Sequence, residues 1–188
     1  MRLTGIRLGT TSDALERVGL SVVDGRAGVG GVTIEAAPGE GILGLDLDGA
    51  PDDPPLPLVH VAPTAAGVHP IGATAVDHVV VLAGDVRAAI AALGTTPRRI
   101  EERDGRVYGF VVAGTALLEF VGPAGGDDRP PRLWGLALTV SDLDRAVTHL
   151  GSACGPAKPA VQPGRRIATV RHEQVGLGVP TVLLSPRV

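Results

Sequence analysis

Hydrophobic positions change their period along this chain, and the change recurs. Residues 79–82, Val-Val-Val-Leu, are a β-branched and aliphatic run fit for a buried strand. Asp85 follows where a helix needs a cap, Val86, Ile90 and Leu93 come at helical spacing, and Gly94 supplies the left-handed stop. Three more strands are predicted at 98–102, 106–112 and 116–121, parted by Asp104-Gly105 and by a turn at Gly114. Asp-Gly between alternating runs is a strong hairpin signal. The unit is β-α-β-β-β.

The same unit returns downstream. Superposing Asp85 on Asp142 (142 − 85 = 57) also puts Leu93 on Leu150 and Gly94 on Gly151 without a gap. Its first strand is predicted at 133–140, and Ser141 with Asp144 forms a Ser-x-x-Asp capping pattern ahead of Leu143, Val147 and Leu150. Strands at 158–162, 166–171 and 181–184 complete it, the first of them short or at an edge because 156–164 is proline-rich. The expected fold class is therefore α+β, with modules at 75–123 and 133–188 and a Gly/Pro/Asp linker at 124–132. Residues 1–60 read as a compressed or degenerate third module: strands at 3–8, 20–23, 32–36 and 42–47, with a short helix at 12–18 stopped by Gly19. Ordinary α+β sequence is the plainer alternative there. Residues 61–74 are a connector.

Composition narrows the function classes. A chain of 188 residues with 44% hydrophobic content and mean hydropathy +0.26 can bury a sizeable core. Its net charge of −3 gives no general attraction to nucleic acid or anionic lipid, and no run approaches the ~20 apolar residues of a membrane span. The start lacks a signal-peptide pattern, so a cytoplasmic location is expected. Cys154 is the only cysteine, and Lys158 stands as the one lysine among seventeen basic residues, a bias typical of GC-rich bacterial coding sequence. There is no phosphate loop, dinucleotide fingerprint or nucleophile elbow.

The Asp77-His78-Val79-Val80-Val81 opening, the Ala116-Leu117-Leu118-Glu119-Phe120-Val121-Gly122-Pro123 strand and Leu133-Trp134-Gly135-Leu136-Ala137-Leu138-Thr139-Val140 with Asp142-Leu143-Asp144 resemble the vicinal oxygen chelate superfamily of glyoxalases, bleomycin-resistance proteins and extradiol dioxygenases. More narrowly, the chain resembles glyoxalase-like bacterial proteins. The resemblance implies curved mixed sheets whose paired modules enclose a cleft for a small organic molecule. It also implies a divalent metal held by the first and last strands of each module. In the middle module those positions are His78 and Glu119; in the last they are Gly135 and Val182, whose side chains cannot coordinate. The opening segment offers about Gly5, then Asp46 and Asp48, and His172-Glu173 is a further source of donors. A catalytic metal usually takes about three protein ligands.

Candidate residues follow. His78 reads as a metal ligand or general base, or as a packed strand-opening histidine. Glu119, inside an apolar run, must face solvent or a cleft, since burying an unpartnered carboxylate is costly. Tyr108, Phe110, Trp134, Arg165 and Arg166 are candidate ligand contacts, with core packing and a surface arginine pair as the plain alternatives. Three functions compete: metal-assisted lyase, isomerase or oxygenase chemistry, metal-free sequestration of a metabolite or antibiotic, and a homodimer built on an exposed module face.

Overall fold

A computed structural model describes residues 1–187. The elements are β1 Arg2–Gly9, α1 Ser12–Arg17, β2 Arg26–Val29, β3 Val32–Ala37, β4 Gly41–Asp48, β5 Ala73–Leu82, α2 Val86–Ala92, β6 Arg99–Arg103, β7 Arg106–Ala113, β8 Ala116–Pro123, β9 Arg132–Val140, α3 Leu143–Leu150, β10 Lys158–Pro159, β11 Arg166–Val170 and β12 Thr181–Leu184. They form two curved mixed sheets, ordered β2-β3-β1-β4 and β10-β11-β12-β9-β5-β8-β7-β6.

The eight-stranded sheet is the sequence repeat made physical. β5 runs parallel to β8, β9 parallel to β12, and the two units join where β5 meets β9 antiparallel. His78 lies opposite Ala137 and Val80 opposite Gly135. Adding the repeat offset (78 + 57 = 135, 80 + 57 = 137) turns one pair into the other, so the seam has local two-fold symmetry. The caps of α2 and α3 are Asp85 and Asp142, each accepting the amide three residues on. The Ser141 cap read from sequence is thus displaced by one residue, because Asp142 has the extended backbone a cap requires.

Alternation sorts the two faces. Val79, Val81, Val111, Leu118 and Phe120 are fully buried on the helix side with Val86 and Ile90 of α2. His78, Val80, Tyr108, Phe110, Leu117 and Glu119 are each part-buried on the opposite, open face. One hydrophobic core runs through both sheets.

The opening region departs from expectation. No strand forms at 20–23: Val23 and Arg26 exchange amide bonds around a turn at Asp24-Gly25, and the hairpin begins at Arg26. The strand expected at 42–47 forms as β4, but it crosses to the far side of β1 and pairs antiparallel, as β9 does beside β5. β3 already fills the parallel slot beside β1. The chain then returns parallel to β4 at Leu58, where the Leu45 amide donates to the Pro57 carbonyl at 3.0 Å, just as the Leu136 amide donates to the Pro180 carbonyl at 2.9 Å. Residues 1–72 therefore repeat, in shortened form, the strand plan of the whole module pair that follows.

The segment from Leu58 into the connector straps the open face of this smaller sheet. It pairs beside β4 at Leu58 and beside β2 at Ala66. Between these points the Val61 amide donates to Asp46 Oδ2 at 2.8 Å and the Thr64 amide to Thr33 Oγ1 at 3.0 Å. Such close approach needs glycine beneath it: a Cβ on Gly5 would lie 2.5 Å from Val61 Cβ, and one on Gly44 2.6 Å from Val59 Cγ1.

Candidate functional site

The open face of the larger sheet is not strapped. Its centre holds a cavity of about 180 Å³ lined by His78, Tyr108, Phe110, Leu117 and Glu119 from the middle module and by Val161, Gln162, Ile167, Val182 and Leu184 from the last. Both modules contribute walls because β5 and β9 sit side by side. Arg99 lies over the Phe110 ring and Arg103 over the Tyr108 ring, each 4.9 Å from the centroid, so two guanidinium groups rim the cavity on aromatic supports. Glu101 stands between them on β6, 3.4 Å from Arg99.

His78 sits between two carboxylates. Its Nδ1 is 3.0 Å from Asp77 Oδ1 and its Nε2 is 3.2 Å from Glu119 Oε2. A bulge between Val76 and His78 lets the consecutive residues Asp77 and His78 meet this way. Asp77 is anchored in turn: Arg165 Nη1 donates to its Oδ2 at 2.8 Å and Thr139 Oγ1 at 3.1 Å. Burial alone would raise the Asp77 carboxyl, but hydrogen bonds and charge from His78 and Arg165 outweigh it and hold the group well below the usual carboxylate range. Glu119 goes the other way. Burial pushes it up, the His78 charge pulls it down less strongly, and Asp77 adds to the rise.

Arg165, one of the candidate contacts, is a buried keystone beneath the site. Its side chain is 3% exposed, and Nε, Nη1 and Nη2 donate to Asp77, Gln162, Thr139 and twice to the Ser185 carbonyl, so all five N–H groups have acceptors. A buried guanidinium must be satisfied, and the acceptors come from β5, β9, the β10–β11 loop and the end of β12. Arg166 is at the surface, 2.7 Å from Asp144, and outside the cavity. Trp134 is 43% exposed and does not line the cavity either: Val80 pairs with Gly135 and Val81 with Leu133, so Trp134 is the residue left over in a bulge. Of the sequence candidates, His78, Glu119, Tyr108 and Phe110 come together. Asp77 was missed, although Asp77-His78 is a visible pair. His69, given no role from sequence, is a buried structural link: its Nδ1 accepts from the Ser21 amide at 3.0 Å and Nε2 faces the Gly28 carbonyl at 2.9 Å.

The donor set does not fit a resident divalent metal. His78 and Glu119 supply two donors, while the register places Gly135 and Val182 at the corresponding points of the last module: Val80 opposite Glu119, and Ala137 opposite Val182. Asp46 is on the other sheet, bonded to Val61, and His172-Glu173 lies in a turn whose Val175 and Gly176 carbonyls bind Arg17 and Thr10 near α1. Among the described residues no group of three or more His, Cys, Asp or Glu gathers at metal-binding separation.

The smaller sheet carries a counterpart of this site. Arg7 lies opposite Glu35 across β1 and β3 as Val80 lies opposite Glu119 across β5 and β8, which puts Gly5 at the place of His78 and Glu35 at that of Glu119. There Arg7 Nε and Arg26 Nε approach Glu35 at 2.6 and 3.2 Å. Burial raises that carboxyl, but the two arginines outweigh burial and lower it.

No protein-family model matches the sequence, and no curated protein matches it. Solved structures do. A fusion of a xylose isomerase-like TIM barrel with a 4-hydroxyphenylpyruvate dioxygenase superposes with TM-score 0.58 at 8% identity, covering 98% of this chain and 49% of that one. Methylmalonyl-CoA epimerase from Mycobacterium tuberculosis gives TM-score 0.49 at 25% identity over 62% of this chain and 91% of its own. A 4-hydroxymandelate synthase variant from Streptomyces coelicolor gives 0.47 at 14% over 99% and 70%. The paired modules have the vicinal oxygen chelate fold. Among the described residues no helix is long and apolar enough to cross a membrane.

Proposed function

We propose that this protein binds a small organic anion in the cavity between its last two modules and moves a proton to or from it through His78 and Glu119. The observation that carries this is the Asp77–His78–Glu119 chain at the cavity floor. Asp77, held ionised by Arg165, favours the imidazole tautomer with its proton on Nδ1 and so presents Nε2 to the cavity. Glu119, kept protonated further up the pH scale by burial, is suited to donate where His78 accepts. The reaction class is proton transfer beside a carbonyl, of isomerase or lyase type, with Arg99 and Arg103 drawing a carboxylate to the mouth. Two protein donors favour this over chelation.

The test is exchange of the proton beside the carbonyl of 2-oxo acids in D2O, followed by NMR. Wild type is expected to catalyse exchange for at least one member of the panel, and His78→Gln and Glu119→Gln to slow it by roughly 10²–10⁴-fold. Absence of exchange across a broad panel sinks the reading. Sequestration without chemistry is the second reading, favoured by the missing donors at Gly135 and Val182; its signature is ligand binding that survives His78→Gln with no exchange in wild type. Assembly as a homodimer is a further expectation, which sedimentation decides: a monomer at high concentration rejects it.

A further inference from the structure

A second concavity lies beside the acid–base cavity. It has a volume of about 500 Å³ and is lined by Leu82, Val121 and Pro123 on the sheet, by Arg106, Arg129 and Arg132, and by the glycine-rich stretches around Gly84, Gly105 and Gly122. Register joins it to the site already described. Glu119, Val121 and Pro123 point to one face of β8 by alternation, and Tyr108 of the smaller cavity lies directly opposite Val121 of the larger. The two hollows are neighbours on the same sheet face.

Charge is concentrated there against the trend of the chain. The protein carries a net −3, yet three arginines line this hollow. Neither Arg106 nor Arg132 has a carboxylate partner among the described residues. Arg129 is braced by Asp127 through Nε at 2.8 and 2.9 Å, which fixes its direction. Asp104 is the only acid on the wall; its side chain is 86% exposed and 3.7 Å from Arg103. The linker that carries Arg129 is itself pinned: the Gly84 amide donates to the Arg129 carbonyl, the Asp127 amide to the Gly84 carbonyl, and the Ala124 amide to the Gly105 carbonyl. Guanidinium groups on a fixed wall over an apolar floor suit an oxyanion with several charges, since each fork takes two oxygens and a lone carboxylate would leave the rest unmatched.

We infer that this hollow is an arm-binding site for a phosphate ester or diphosphate, so that the ligand's reacting end sits at His78 and Glu119 and its phosphate-bearing arm extends over Val121 to Arg106 and Arg132. The inference rests on the proton-transfer reading for the reacting end only. Recognition of the arm stands on its own residues.

Calorimetric titration of the whole protein with inorganic pyrophosphate, and separately with succinate, tests it. Pyrophosphate is expected to bind, and more tightly than succinate. Arg106→Gln and Arg132→Gln should each weaken it by about tenfold, the factor that ~1.4 kcal/mol represents. Arg145→Gln, on the exposed side of α3, should leave it unchanged. No pyrophosphate binding, equal weakening by Arg145→Gln, or tighter binding of succinate overturns the assignment. If proton exchange fails while the pyrophosphate pattern holds, the reading of the reacting end falls and the arm site stands.

Discussion

Glu35 and Glu119 occupy the same point on two sheets of one plan, yet their surroundings are opposite. Glu35 has Arg7 and Arg26 on its flanks and a strap of connector across its sheet. Glu119 has Val80 and Phe110 as cross-strand neighbours, His78 at 3.2 Å, and an open cavity above. Two arginines lower the Glu35 carboxyl and hold it as an anion that fastens β1, β2 and β3. Burial beside an imidazole leaves the other carboxyl able to take up and release a proton. The fold is shared; the neighbours decide whether the carboxyl at this position is lowered by ion pairs or raised by burial.

The severest break of this contrast is removal of the keystone. Arg165→Ala leaves the Asp77 carboxylate buried without its cation and should cost about 3–5 kcal/mol, read as a fall in the urea midpoint. Asp77 has a lowered pKa, so its contribution to stability is present above its unfolded value and lost as pH falls toward its folded value. In the variant that acid-dependent loss should shrink.

Next in size is the strap. Gly5→Val puts side-chain atoms where Val61 lies and should destabilise by roughly 1–3 kcal/mol, with early exchange of the Val61 and Thr64 amides. An unchanged melting temperature would show that the strap is loosely held. The smallest effects carry the sharpest contrast, because they should differ in sign. Glu35→Gln loses an anion held by two part-exposed arginines and should destabilise by about 0.5–1 kcal/mol near neutral pH. Its lowered pKa means that the stability it adds is present above the unfolded value and lost on acidification. Glu119→Gln should stabilise by roughly 0.5–2 kcal/mol, as replacements at functional positions often do. Its raised pKa means that the wild type is favoured below the unfolded value and loses stability as pH rises through the folded one. Stability profiles for the pair that move in the same direction would refute the comparison.

Much of the larger sheet was legible because its signals are local. The Asp caps, the Asp104-Gly105 hairpin and the offset between Asp85 and Asp142 are all read within a few residues. The match of His78 to Gly135 followed from that offset, and the register agrees with it and with the match of Glu119 to Val182. The smaller sheet was less legible because strand order is not local: nothing in 42–47 says on which side of β1 it will pair. The setting of Arg165 was hidden for a similar reason. Its partner Asp77 is 88 residues away, and a turn arginine looks the same whether it faces a ligand or a buried carboxylate. Glu35 escaped notice as the counterpart of Glu119 because the strand before it, at Arg26–Val29, was read too early in the chain.

The strap over Gly5 and Gly44 is in effect a ligand the protein makes for itself. A tethered segment holds its surface at an effective concentration of about millimolar, against which a dissolved metabolite of ordinary abundance competes poorly. A cut within the exposed Asp52-Asp53 stretch would leave the segment attached from one end only, still a tenant of the smaller sheet but a looser one.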